Sequence, residues 1–233
     1  MRFETLGQLV SDIRSAEKKY HRADHSVRLL VASKSQSSEK IRALYAQGQK
    51  IFGENYAQEA IEKQKTLSDL KIEWHFIGNI QSNKVNIIAT HFDWVQSVNR
   101  FSIAEKLNHA ALLKNKIINI CLEVNIDASP TKSGIIPTEL IETAKKISTL
   151  KQLKFRGIMV MPDPVQDQEQ QYVLFKKAAE LQQQLIDAGF SLDTLSMGMS
   201  SDFEMAIRAG STLVRIGTAI FRAAITRAAI TRE

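Results

Sequence analysis

The 233 residues carry 31 Lys and Arg against 25 Asp and Glu, a net charge of +6, with 44% apolar residues and a single cysteine. One thiol excludes a disulfide framework and any multi-cysteine metal cradle, and no apolar run approaches the roughly 20 residues of a membrane-spanning helix. Basic residues alternate with acids, as at Glu59, Glu62, Lys63 and Lys65, the pattern of a solvated helix face rather than of a nucleic-acid groove. The N-terminal 20 residues hold Glu4 and Asp12 where an export signal needs an unbroken apolar core, so a cytoplasmic location is expected.

Phe3, Leu6, Val10 and Ile13 recur at helical spacing and predict an amphipathic N-terminal helix. From Arg28 the pattern changes to short apolar runs separated by helical segments. RLLVAS at 28–33 is the first, followed by KIFG at 50–53, IEWHFI at 72–77, FDWVQSV at 92–98 and IINICLEV at 117–124. LKFRGIMVM at 153–161, LDTLSM at 192–197 and TLVRI at 212–216 bring the candidate strands to eight. Helical patterns lie between them, near 55–68, 80–90, 100–114, 137–149, 166–188 and 202–209. No Asn-Gly or Asp-Gly dipeptide joins two strands in a tight hairpin, so the strands are expected to run parallel with helical crossovers. Eight such units in one domain spanning 1–233 predict an α/β fold, a (β/α)8 TIM barrel with an extra N-terminal helix. The rival, an open doubly wound sheet, would carry glycines after its first strand, where this chain has Lys34-Ser35-Gln36-Ser37-Ser38.

Barrels place their chemistry at the C-terminal strand ends. There the sequence puts Lys34, Glu54 and Asn55, Ser97, Glu123 and Asn125, Gly198 to Ser201, and Gly217 with Thr218. Lys34 shares the strand face of Ala32, and a desolvated amine there would be nucleophilic toward an aldehyde. Position alone leaves open whether it is instead a surface lysine just past the strand. Arg215 lies between Val214 and Ile216 in a strand buried on both faces, so its permanently charged fork needs an interior acceptor. Gly217-Thr218, and the Gly198-Met199-Ser200-Ser201-Asp202 turn, could present N–H and O–H donors to a phosphate; the second reads equally as a helix cap. The second turn has Asp202 where a hydrolase elbow has its second glycine, which argues against a serine hydrolase.

The five histidines show no metal-ligand spacing. His75 is the one inside a strand, where alternation turns it toward the barrel interior and makes it a core histidine more readily than a base. Cys121, in the middle of the fifth strand, reads as a small buried apolar group.

Taken together, LLVASK ending at Lys34, FGENYAQE at 52–59, WHFIGNIQSNK at 74–84, KSGI at 132–135, RGIMVMP at 156–162, LSMGMSSDFEMAI and GSTLVRIGTAIF resemble the pyridoxal-phosphate homeostasis protein family, whose barrel is similar to the N-terminal domain of alanine racemases. The resemblance implies that Lys34 carries pyridoxal 5'-phosphate as an aldimine and that Ser200, Gly217 and Thr218 hold its phosphate. It further implies that Arg215 faces the pyridine nitrogen, with Asn55 and His75 as neighbours. Three positions depart from the family pattern: Ser35-Gln36-Ser37 for Thr-Lys-Pro, Asn79 for proline, and Arg222 for glycine. The implied role is vitamin B6 homeostasis by a monomeric, non-enzymatic carrier without metal, with apo enzymes that use pyridoxal phosphate as candidate recipients. A pyridoxal-phosphate-dependent racemase or lyase is the enzymatic alternative, disfavoured because racemases draw on a further domain and a second base that this sequence does not supply. An arginine at the ring nitrogen would also weaken the ring as an electron sink. RAAIT occurs twice, at 222–226 and 227–231, and with Phe221, Ile225 and Ala228 on one face is expected to form a terminal helix outside the site.

Overall fold

In the computed structural model, which describes residues 5–127, 129, 132–163, 165–217 and 220–221, each candidate strand pairs in parallel with the next. They are Arg28–Ala32 (β1), Ile51–Glu54 (β2), Glu73–Phe76 (β3), Trp94–Val98 (β4), Ile118–Val124 (β5), Leu153–Val160 (β6), Thr194–Ser196 (β7) and Leu213–Ile216 (β8). β8 closes on β1, with Leu30 opposite Arg215 and Val31 opposite Ile216, to give a closed (β/α)8 barrel in one domain. The crossovers are the helices Ser38–Ala46 (α2), Ala57–Thr66 (α3), Val85–His91 (α4), Phe101–Leu113 (α5), Leu140–Ser148 (α6), Gln168–Asp187 (α7) and Phe203–Arg208 (α8). None of the described helices is long and apolar enough to cross a membrane.

Each strand buries two faces, so its sequence lacks the polar alternation of a half-exposed strand. The outward set, including Val31, Phe52, Trp74, Phe76, Val214 and Ile216, packs with the helices in the main apolar core. The inward set includes a separate small cluster of Trp94, Cys121 and Met159. Burial pushes the Cys121 thiol up to about 12, which leaves it protonated and inert as expected. β6 keeps Arg156 and Met159 on the inner side by shifting register at Gly157, where φ is +152° and a Cβ would lie 1.8 Å from the Thr194 carbonyl oxygen.

The N-terminal helix Leu6–Lys19 (α1) is capped by Thr5, whose hydroxyl accepts from the Gln8 N–H. Its buried stripe is Leu6, Leu9, Ile13 and Ala16, while Val10, expected on that face, is 38% exposed. Ile13 lies seven residues after Leu6, and the stripe between them runs through Leu9, whereas Val10 faces outward at its edge. Phe3 and the duplicated tail lie outside the described residues. The tail's first neighbour, Phe221, is buried.

The ends of β2 and β3 approach each other closely, since a Cβ on Gly78 would sit 2.0 Å from the Asn55 carbonyl oxygen. Gly78→Ala is therefore expected to lower stability by at least about 1–3 kcal/mol in denaturant titration; a variant as stable as the parent would show that this approach is not needed.

Candidate functional site

The charge that organises the interior is Arg215, 7% exposed, on the inner face of β8. Its Nη1 donates to Ser196 Oγ at 2.6 Å and its Nη2 to the Val160 carbonyl oxygen at 2.9 Å. Arginine can only donate, and that fixes the direction of the hydrogen bonds beyond Ser196. Ser196 Oγ donates to Gln96 Oε1 (2.6 Å), Gln96 Nε2 donates to His75 Nδ1 (2.8 Å), and His75 Nε2 donates to Glu73 Oε1 (2.7 Å). His75 is thus held as the neutral Nε2–H tautomer, and burial, opposed by the Glu73 carboxylate, drives its pKa below the usual histidine range. Burial lowers the Arg215 guanidinium to about 10, which still leaves it charged at neutral pH.

Above this chain the C-terminal ends of the strands enclose a cavity of about 240 Å³, lined by Asn55, Ile77, Ser97, Glu123, Asn125 and Met161 among others. Ser97 Oγ donates to the Gly78 carbonyl oxygen, and Asn125 fastens the following loop by donating to the Ser129 carbonyl oxygen (2.7 Å) while accepting the Ser129 N–H (3.1 Å). Lys132, in the KSGI segment, pairs with Asp127 (2.6 Å) and Asp163 (2.9 Å). Glu123 is raised to about 7 by burial, against the pull of Arg215. Above the permanent charge of Arg215 the mouth therefore holds the ion-paired Lys132 and one carboxyl that titrates near neutrality.

The sequence-predicted residues divide by height. Lys34, Asn55, Ser200 and Gly217 stand just past the ends of β1, β2, β7 and β8 on the same rim. Gly217 lies against Ala32, where a Cβ would come within 3.2 Å of the Ala32 carbonyl oxygen, so the backbones leading to Lys34 and to the Gly217 turn are in contact. Arg215 lies beneath that rim. His75 lies lower still, with both ring nitrogens engaged and its ring stacked on Trp94 at 5.0 Å, and reaches the rim only through Gln96, Ser196 and Arg215. Lys34 is exposed, not the desolvated amine that the strand pattern allowed, because β1 ends at Ala32 and the chain turns at Ser35 with φ +58°. Asp202 occupies the cap position of α8 without capping it; its carboxylate turns back to accept the Met199 N–H at 2.6 Å. Thr218 lies outside the described residues. Sequence reasoning misses Gln96 and Ser196, although a glutamine and a serine inside fully buried strands are the signal that could mark them.

Comparison with known proteins agrees with the barrel fold. The alanine racemase N-terminal domain model matches residues 10–224. A pyridoxal phosphate homeostasis protein of Vibrio alginolyticus is 45% identical over 224 residues, covering 94% of this chain and 96% of the relative. That of Escherichia coli K12 is 39% identical over 221 residues, covering 94% of each. The chain belongs to the pyridoxal phosphate homeostasis protein family. Among solved structures, PipY of Synechococcus elongatus with PLP bound superposes with a TM-score of 0.81 at 35% identity, covering 91% of this chain and 99% of PipY. An alanine racemase of Clostridium difficile shares the fold at 12% identity and a TM-score of 0.69, over 91% of this chain and 56% of the racemase.

The raised Glu123 has a sign that can be measured. Its carboxyl binds a proton more tightly in the folded than in the unfolded chain, so its contribution is most favourable below about pH 4.5 and is lost as pH rises through about 7. Glu123→Gln is expected to gain on the parent across that window, reaching on the order of 3 kcal/mol at pH 8. Denaturant titrations of both proteins at pH 4 to 8 check this, and a stability difference independent of pH would contradict it.

Proposed function

We propose that this protein holds pyridoxal phosphate covalently but reversibly on Lys34 and releases it again, acting as a carrier in vitamin B6 homeostasis without efficient turnover of amino acids. When bound, the cofactor supplies an aldehyde that condenses with an amine to a C=N bond with loss of water, a bond that water or another amine can reverse. Lys34 suits that chemistry by its exposure on the rim, where an incoming amine has access.

The observation that carries the reading is the fixed guanidinium of Arg215 beneath the rim that bears Lys34. Two of its five N–H donors are committed inside the barrel, so its orientation is set before any ligand arrives. A donor that stays protonated at neutral pH favours an unprotonated pyridine nitrogen, and so a ring that withdraws electrons weakly. Ser200 and Gly217 offer a hydroxyl and a backbone donor for a phosphate, and Thr218, next in the sequence, carries a further hydroxyl, in keeping with the habit of barrels to bind phosphate at their last two strands. That PipY, 35% identical to this chain, is described with PLP bound supports the same reading. Recipients in this proposal are apo enzymes that use the cofactor, served by release from the rim.

Borohydride treatment of the protein with pyridoxal phosphate, followed by peptide mapping, is expected to leave a pyridoxyl group on Lys34. Lys34→Ala is expected to lose both that group and the visible absorbance band; a variant that keeps the band would overturn the assignment. With alanine, serine or lysine of either hand, chiral chromatography and exchange of the α-hydrogen for deuterium are expected to show no sustained turnover. Multiple turnovers lost in Lys34→Ala would make the protein an enzyme instead.

A further inference from the structure

α3 carries a lysine that is buried where its sequence context reads as solvated. The Lys63 side chain is only 7% exposed, and its Nζ donates to the Ser33 carbonyl oxygen (2.6 Å), to Glu54 Oε1 (2.7 Å) and to Glu59 Oε1 (2.7 Å). Glu54, fully buried at the end of β2, also accepts from Ser33 Oγ at 2.6 Å. Glu59, one turn before Lys63, uses the same Oε1 to accept the backbone N–H of Ser35 at 2.6 Å. The peptide unit before Lys34 and the one after it are therefore both tied to one ion-paired group. Ser35, moreover, is held at φ +58°, a region that non-glycine residues seldom occupy, in the residue that immediately follows Lys34.

A core does not need such a group. An ammonium and a carboxylate removed from water, here Lys63 and Glu54, are costly, and apolar residues of similar volume commonly serve stability as well or better. The remaining Glu54 oxygen is buried without a hydrogen bond, so the arrangement is not even fully satisfied. What the three charges accomplish is geometric: they fix the backbone from which an exposed, flexible lysine projects. We propose that Lys63 and Glu59 are positioning residues for Lys34, holding Ser33 and Ser35 so that the lysine root is set before the cofactor arrives. This rests on the carrier reading above, in which Lys34 is the residue that bonds pyridoxal phosphate.

Glu59 is the better handle, because its side chain is 28% exposed and its loss need not unfold the chain. The ligand-free protein gives the first readout, exchange of the Ser35 amide hydrogen; the second is the pyridoxal phosphate concentration at which half of Lys34 is trapped by borohydride. Glu59→Ala is expected to speed Ser35 exchange and to raise the half-saturation point about tenfold, the scale of one lost charge-assisted hydrogen bond. Glu59→Gln, which keeps an acceptor oxygen, is expected to fall back toward the parent. Lys63→Met should behave like Glu59→Ala, whereas Glu62→Ala, which removes only the exposed pair with Lys65, should match the parent in both readouts. If Glu59→Ala and a folded Lys63→Met trap the cofactor as the parent does, or Ser35 exchange is unchanged in Glu59→Ala, the positioning role is overturned. A parent that traps nothing at Lys34 would overturn the carrier reading itself, a result visible before any variant is compared.

Discussion

A guanidinium inside a closed barrel sets the terms for the residues around it. Arg215 cannot be deprotonated at neutral pH, so the interior must give it oxygen atoms, and it finds them on Ser196 and at the end of β6. Because arginine offers only donors, every later link inherits a direction, from Ser196 to Gln96 to His75 and out to Glu73. A chain of this kind stiffens what it connects, since a turn of any one member strands its neighbours without partners in a medium that has no water to replace them. The polar residues of β3, β4 and β7 thus belong to the same requirement as Arg215, although they come from distant parts of the chain.

Below that chain the barrel is plugged. Trp94 stacks on His75 and takes two cations on its ring, Arg28 at 5.3 Å and Arg156 at 4.9 Å, and Arg156 is in turn paired with Asp193. Cys121 and Met159 complete the filling. Above the filled lower half, the cavity at the C-terminal face takes its lining from strand ends rather than from strand middles.

At the rim the balance of charge bears on the proposed carrier role. Arg215 is fixed, Lys34 is exposed, and Glu123 changes its charge close to neutrality. In the proposed function a ligand with a phosphate and an aldehyde would meet donors and an accessible amine there. The clamp of Glu54, Lys63 and Glu59 lies behind the same rim and ties the peptide units on either side of Lys34.

Much of the fold is written locally. The eight strands, their parallel pairing and the closure of the barrel follow from short apolar runs spaced by crossover helices, because a strand covered on both faces cannot hide its composition. The inward turn of Arg215 and His75 has the same origin, since alternation leaves few other places for them beside Val214, Ile216, Trp74 and Phe76. Tertiary structure decided the rest. The link from Ser196 to Gln96 spans 100 residues, and no local pattern can say which polar group a buried serine will meet. Lys34 has the right parity for burial but stands past the last ladder residue, and only the turn at Ser35 decides that it is exposed. Glu59, Glu62, Lys63 and Lys65 read alike as one solvated helix face, yet α3 packs so that Lys63 enters the space beneath Ser33 while Glu62 and Lys65 stay in water. A sequence records which side chains can carry charge; where that charge lies relative to water is fixed only when the helix meets the sheet.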